Sequence, residues 1–285
     1  MIKILINPNY KFISSSLYPI IDPDFFKRQG ELLFTSRNTI KRFCLGGIDI
    51  VVKRYGHITS FNRLMYSTFR KSKAMRAYQH ASQLRELGIS TPEEIAMIET
   101  YKNGILQDCY FVSASSSYHS MAFLRDEGFN RESMYPLIDA MVEWIVKLHD
   151  KGILHQDLNV SNILYKELAN GDFDFQVIDN NRMKFSKNPS MNVRLKNLCH
   201  LSVDLELHNY ILKQYSQRVQ YDCYKTQMKG SFYKLVFEYR QVSKQRIKNI
   251  FKKRTIYKHN LLPHERNYST KSRFERRYGG FYPIP

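Results

Sequence analysis

The 285-residue chain has no run of eighteen or so consecutive apolar residues, so no membrane-spanning helix is expected. The apolar run Ile4-Leu5-Ile6 near the N-terminus is too short for a signal-peptide core, and no small-residue cleavage site follows it. Cysteine is scarce. Cys44, Cys109, Cys199 and Cys223 are scattered, with no CxxC pair and no histidine at ligand spacing. That excludes a thiolate zinc site and a disulfide framework, and it predicts reduced thiols in a cytosolic setting. No internal repeat, no G-x-G-x-x-G and no RNA- or DNA-binding motif is present. Acidic residues are also few: none occurs from Ile50 to Arg85, where Lys and Arg number eight.

What is present is enough for a packed core, with 43% hydrophobic residues, 14% of all residues aromatic, and a formal net charge of +18. Residues 1–30 are weakly patterned and broken by Pro8, Pro19 and Pro23. Strands are expected at Leu32–Phe34, Thr39–Phe43 and Ile48–Tyr55, with Gly46-Gly47 as a turn. Ala74, Ala77, Tyr78, Ala81, Leu84 and Leu87 share one helical face, stopped by Gly88. Two more strands are expected, at Ile95–Ile98 and Tyr110–Ser113. A helix from Glu132 carries the stripe Tyr135, Ile138, Met141, Val142, Ile145 and Leu148. Asn162–Tyr165 and Phe173–Ile178 form a hairpin around Asn170-Gly171. Residues 190–217 and 231–254 are expected as helices, and 255–285 as a basic aromatic tail.

His155-Gln156-Asp157-Leu158-Asn159-Val160-Ser161-Asn162 matches H-x-D-L-x-x-x-N, the catalytic-loop pattern of protein kinases. The spacing has a chemical reason: the Asp must face an attacking hydroxyl, and the Asn must turn back into the same cleft to hold Mg²⁺. A chance match in a chain of this length is about one in a thousand. Asp179 follows the hairpin, 17 residues beyond Asn162, where a second metal-binding carboxylate belongs. Val51-Val52-Lys53 reads as the strand that supplies a phosphate-binding lysine. Asp157 is therefore the expected catalytic carboxylate, Asn162 and Asp179 the metal ligands, and Lys53 the phosphate ligand, with ATP and Mg²⁺ as the implied cofactors. His155 is expected to pack and hydrogen-bond near the loop rather than transfer protons.

Val52-Lys53-Arg54-Tyr55, Arg70-Lys71-Ser72-Lys73-Ala74, Leu87-Gly88-Ile89-Ser90-Thr91-Pro92 and the catalytic loop together resemble the lipopolysaccharide core kinases, the heptose and Kdo kinases of Gram-negative bacteria. The resemblance spans roughly residues 30–210. It implies an α+β, protein-kinase-like two-lobe fold: a small N-terminal antiparallel sheet with one helix, then a larger, mainly helical lobe. The expected divisions are 1–116 for the N-lobe with its extension, 117–254 for the C-lobe, and 255–285 for the tail. It also implies transfer of the ATP γ-phosphate to a sugar hydroxyl of the lipopolysaccharide inner core, at the cytoplasmic face of the inner membrane.

The chain departs from protein kinases in several places. Without a Gly-rich loop, backbone around Asn38–Lys41 is the candidate cover for the phosphates. Asp179-Asn180-Asn181 stands where Asp-Phe-Gly is usual, and Asn159 where Lys is usual. Lys53 has no acidic partner in the following helix, which leaves Gln79, Gln83 or Glu86 to orient it. That gap motivates an alternative, a catalytically silent nucleotide-binding adaptor at the membrane; a kinase acting on proteins is a third reading. From Arg240 to Pro285 there are 13 Lys and Arg against 2 Asp and Glu, interleaved with Phe and Tyr. Such one-sign blocks suit an anionic membrane surface or a phosphorylated glycolipid, and nucleic acid is disfavoured as a partner.

Overall fold

The computed structural model describes residues 1–259 apart from 57, 58, 60–62, 64, 68, 126–130 and 202. The chain divides into two compact units, Met1–Phe237 and Glu238–Pro285. The expected N-lobe, 1–116, falls within the first unit, whereas the expected C-lobe, 117–254, runs past its end at Phe237. Most of the expected tail, from residue 260 on, lies outside the described residues.

The N-lobe is built on a six-stranded antiparallel sheet in the order β1-β5-β6-β4-β3-β2. Its strands are β1 (Ile2–Ile6), β2 (Glu31–Thr35), β3 (Thr39–Leu45), β4 (Ile48–Arg54), β5 (Glu94–Lys102) and β6 (Ile105–Ala114). Gly46 and Gly47 both have positive φ, as the tight β3–β4 hairpin turn requires. Strand alternation puts Ile50 and Val52 of β4 into one core, and Lys53, the residue after Val52, faces the other side. The weak patterning of residues 1–30 conceals real structure. Ile4 and Ile6 of β1 pack on the sheet, while the short helices α1 (Ser14–Leu17), α2 (Pro23–Arg28) and the turns beside them bury Ile13, Leu17, Ile20 and Phe26 against the same face. The opposite face is covered by α3 (Lys73–Glu86), through Ala74 packed with Tyr55, Met97 and Cys109.

The C-lobe core forms around α4 (Arg131–Asp150). Its Ile138, Met141, Val142, Ile145 and Leu148 are buried as the stripe predicts. Here β9 (Ile163–Glu167) pairs with β10 (Phe173–Val177) and with the two-residue β7 (His119–Ser120), and β8 (Ile153–His155) pairs with β11 (Met183–Phe185). The helix expected over 190–217 is two helices, α5 (Met191–Leu198) and α6 (Leu205–Arg218). The break has a capping cause: Asp204 accepts a hydrogen bond from the Leu207 N–H at 2.9 Å and starts a new helix, with Leu201 and Val203 buried before it. The last helix, α7 (Cys223–His259), is longer than the expected 231–254. It starts where the Asp222 carboxylate accepts from Lys225 N–H, and it passes Gly230, whose missing side chain leaves room for Leu212 of α6.

Candidate active site

The loop after β8 is held from behind by a chain of buried polar groups. The Tyr215 hydroxyl donates to His149 Nδ1 at 2.8 Å, His149 Nε2–H donates to Asn197 Oδ1 at 3.1 Å, and the Asn197 amide donates to the His155 carbonyl at 2.8 Å. His155 itself is buried and joins two backbones: Nε2–H donates to the Ile178 carbonyl at 3.0 Å, and Nδ1 accepts from Asp157 N–H at 3.0 Å. Acceptance at Nδ1 needs a neutral ring, and burial pushes the imidazole below its ordinary range. The expected structural role of His155 matches these contacts. Next, Asn159 accepts from Ser161 N–H and caps a single 3₁₀ turn at Val160–Asn162. That turn swings Asn162 back, and its amide N–H donates to the Asp157 carbonyl at 2.9 Å. A carbonyl partner takes the amide's donor end, which leaves Oδ1 as the acceptor for a cation. The Asp157 side chain is 47% exposed, with Arg182 Nη1 3.9 Å from its Oδ2.

Asp179 follows β10 and adopts φ +61°, ψ 44°. Ile178 N–H donates to the Asn162 carbonyl at 3.0 Å, which locks the two loops side by side. Lys53 Nζ lies 2.7 Å from Asp179 Oδ1, and the Asn181 amide donates to the same oxygen. Burial alone would raise the Asp179 carboxyl, but the ammonium of Lys53 outweighs it and holds the group below the usual carboxylate range. The partner of Lys53 is thus Asp179, 126 residues away in sequence. Gln79, Gln83 and Glu86, the expected candidates, are exposed on α3.

With no acid to offer Lys53, α3 contributes in another way. His80 Nδ1–H donates to the Asn180 carbonyl at 2.7 Å. Thr91 Oγ1 accepts from the Asn180 amide at 2.8 Å and donates to the Val177 carbonyl at 2.7 Å. The far end of α3 is fixed to β5 by a bidentate pair, Arg85 with the buried Glu94. The Asn180-Asn181 pair therefore supplies the polar contacts that hold Asp179, and the Gly88–Pro92 passage supplies the threonine that anchors it. Sequence reading marked both segments without seeing what they touch; the signal for His80 was only its place on α3.

The structure brings Asp157, Asn162, Asp179 and Lys53 together through these contacts. Their chemistry fits Mg²⁺, which is commonly bound through one or two protein oxygens together with substrate phosphates and water. One carboxylate and one amide oxygen are available, and no cluster of three His, Cys, Asp or Glu occurs among the described residues. The segment expected to cover phosphates, Asn38–Lys41, is the start of β3 after the β2–β3 turn, with Ile40 paired to Lys53 and the Arg37 carbonyl against Gly56.

The chain is 28% identical over 162 residues to the 3-deoxy-D-manno-octulosonic acid kinase of Vibrio vulnificus strain YJ016, covering 54% of this chain and 67% of that one. It is 28% identical over 100 residues to the mitogen-activated protein kinase pmk-2 of Caenorhabditis elegans, covering 35% of this chain and 22% of that protein. The fold matches that of WaaP, solved in complex with acyl carrier protein, with a TM-score of 0.54 at 17% identity, over 85% of this chain and 98% of that one. Residues 49–221, more than half of the chain, match the family model of the lipopolysaccharide kinases, and the chain belongs to the Lipopolysaccharide kinase (Kdo/WaaP) family.

Proposed function

We propose that this phosphotransferase moves the γ-phosphate of ATP to a sugar hydroxyl of the lipopolysaccharide inner core, with Asp157 as the group that orients the hydroxyl and accepts its proton. The observation that carries this reading is the meeting of Lys53, the Asp157–Asn162 loop and Asp179 from three separate stretches of chain. Asn162 Oδ1 and the Asp179 carboxylate would hold Mg²⁺, which when bound neutralises charge on the phosphate oxygens. Lys53 steadies the phosphates as a point cation. The protein's share of the work is positioning and charge stabilisation, with the Asp157 backbone fixed by His155 and Asn162. The silent-adaptor alternative rested on a Lys53 without an acidic partner, and the 2.7 Å contact to Asp179 removes that ground. Membrane work fits the basic block from Arg240 onward, which would draw the protein to anionic headgroups at the inner face of the inner membrane. In Asp157→Asn, transfer to core oligosaccharide should fall by at least about 100-fold. Nucleotide binding, followed by calorimetry, should persist. Full transfer activity in that variant would sink the assignment.

A further inference from the structure

A cleft of about 360 Å³ opens between the first turn of α3 and the turn after Asp179. Arg70, Lys73, Arg76 and Arg182 line it, with Gln156 and Asn181. No carboxylate lines it among the described residues. We propose that this cleft holds an anionic group of the acceptor, a carboxylate or a phosphate, while the acceptor hydroxyl faces Asp157. The proposal rests on the phosphotransferase reading above.

Three observations carry it. The first is location. Gln156 adjoins Asp157, and Arg182 lies in the cleft with Nη1 3.9 Å from the Asp157 carboxylate. An acceptor seated at Asp157 therefore has this cleft within a sugar's reach. The second is where the cations sit on α3. Lys73 and Arg76 are in its first turn, where the helix dipole is positive and cations are disfavoured. No acidic residue in that turn offsets them. Ser72 caps the helix by accepting from Met75 N–H, and its carbonyl accepts from Arg76 Nε at 3.4 Å, which restrains the guanidinium near the cleft. The third is mutual repulsion. Lys73 and Arg76 are only partly exposed, and both are pushed below their ordinary range, by burial first; Arg182 adds to the effect on each. Lys73 is left with the face of Tyr55, 5.9 Å away, as a weak compensation. Like charges gathered at such a cost are resolved by an anion, and the planar forks of Arg suit carboxylate and phosphate alike.

The test uses the full chain, ATP, and lipid A bearing 3-deoxy-D-manno-octulosonic acid as acceptor, alongside its dephosphorylated and carboxyl-reduced forms. Arg76→Gln and Arg70→Gln should raise the acceptor KM about tenfold, beyond any fall in kcat, with the KM for ATP unchanged. Arg76→Lys should recover part of the loss. Removal of the recognised group from the acceptor should cost the wild type a similar factor, and Arg76→Gln should then add nothing. Which modified acceptor shows this tells carboxylate from phosphate. A parallel rise in the KM for ATP, or the same penalty with all three acceptors, overturns the proposal. Should the wild type transfer to none of the three, the acceptor assigned above fails, but the cleft is still tested. Titration with inorganic phosphate and with acetate should shift an Arg Nε–H NMR signal that is missing in Arg76→Gln, and unshifted signals overturn the site on their own.

Discussion

Asp179 occupies the left-handed region of backbone space, at φ +61°. Asp tolerates that region better than most residues because its short polar side chain can bond locally. The conformation turns the carboxylate to Lys53 and Asn181 and away from the β10 strand direction. Asp179→Asn keeps the size and removes the charge that pairs with Lys53 and that, in the function proposed above, would hold the metal ion. The expected result is a fall in kcat/KM of at least about 100-fold and a raised Mg²⁺ requirement, read from phosphate transfer across a Mg²⁺ titration. The position of Asp157, Asn162 and Asp179 was legible because each sits at a fixed spacing from a motif or a hairpin. The partner of Lys53 was not legible. A search along α3 looks for an acid in a neighbouring element, whereas the real pair is closed by folding across 126 residues. Nor could spacing show that Asn180 is held by His80 and Thr91 together.

The β8–β11 pair presents the catalytic loop, and its geometry depends on one glycine. Gly152 has φ +75°, and a Cβ there would collide with the Ser186 carbonyl oxygen. Ser186 N–H in turn donates to the Gly152 carbonyl at 2.8 Å. Gly152→Ala combines an unfavourable φ with a backbone clash, and it should cost roughly 2–4 kcal/mol, measured by urea unfolding. Its effect on transfer should exceed that of an equally destabilising change in α6, because the shift is passed directly to His155 and Asp157. Among the elements, the β-branched run of β4 and the stripes of α3 and α4 were plain from periodicity, since one buried face repeats at a regular interval. The short helices over residues 8–28 were not. Their buried Ile13, Leu17, Ile20 and Phe26 are spread over turns and short helices too brief to show a period. The break between α5 and α6 depends on the cap at Asp204, which a hydrophobic pattern passes over.

Five histidines, His80, His149, His155, His200 and His208, are pushed below the ordinary imidazole value, in each case chiefly by burial. His149 goes from 6.5 to about 4, and His208 likewise. A folded-state value below the unfolded one means that the unfolded chain takes up protons first. Their contribution to stability is therefore complete above about pH 6.5 and is lost as the pH falls towards 4. The Asp179 carboxylate, also depressed, adds to the loss in acid. Thermal scans should show a falling Tm from pH 7 to pH 5, and a flat Tm over that interval would contradict the buried neutral rings. At the same scale, the edge of the N-lobe sheet has a practical consequence. Strand β1 covers β5, from Ile2 opposite Thr100 to Ile6 opposite Ala96, and the terminal ammonium of Met1 reaches the Tyr101 carbonyl at 3.0 Å. A shortened version that discards the first residues as dispensable would bare the hydrogen-bonding edge of Ile95–Ile98, side chains that are otherwise fully buried. Such an edge recruits strands from other molecules, so a trimmed protein would be prone to clumping before its catalysis could be assayed.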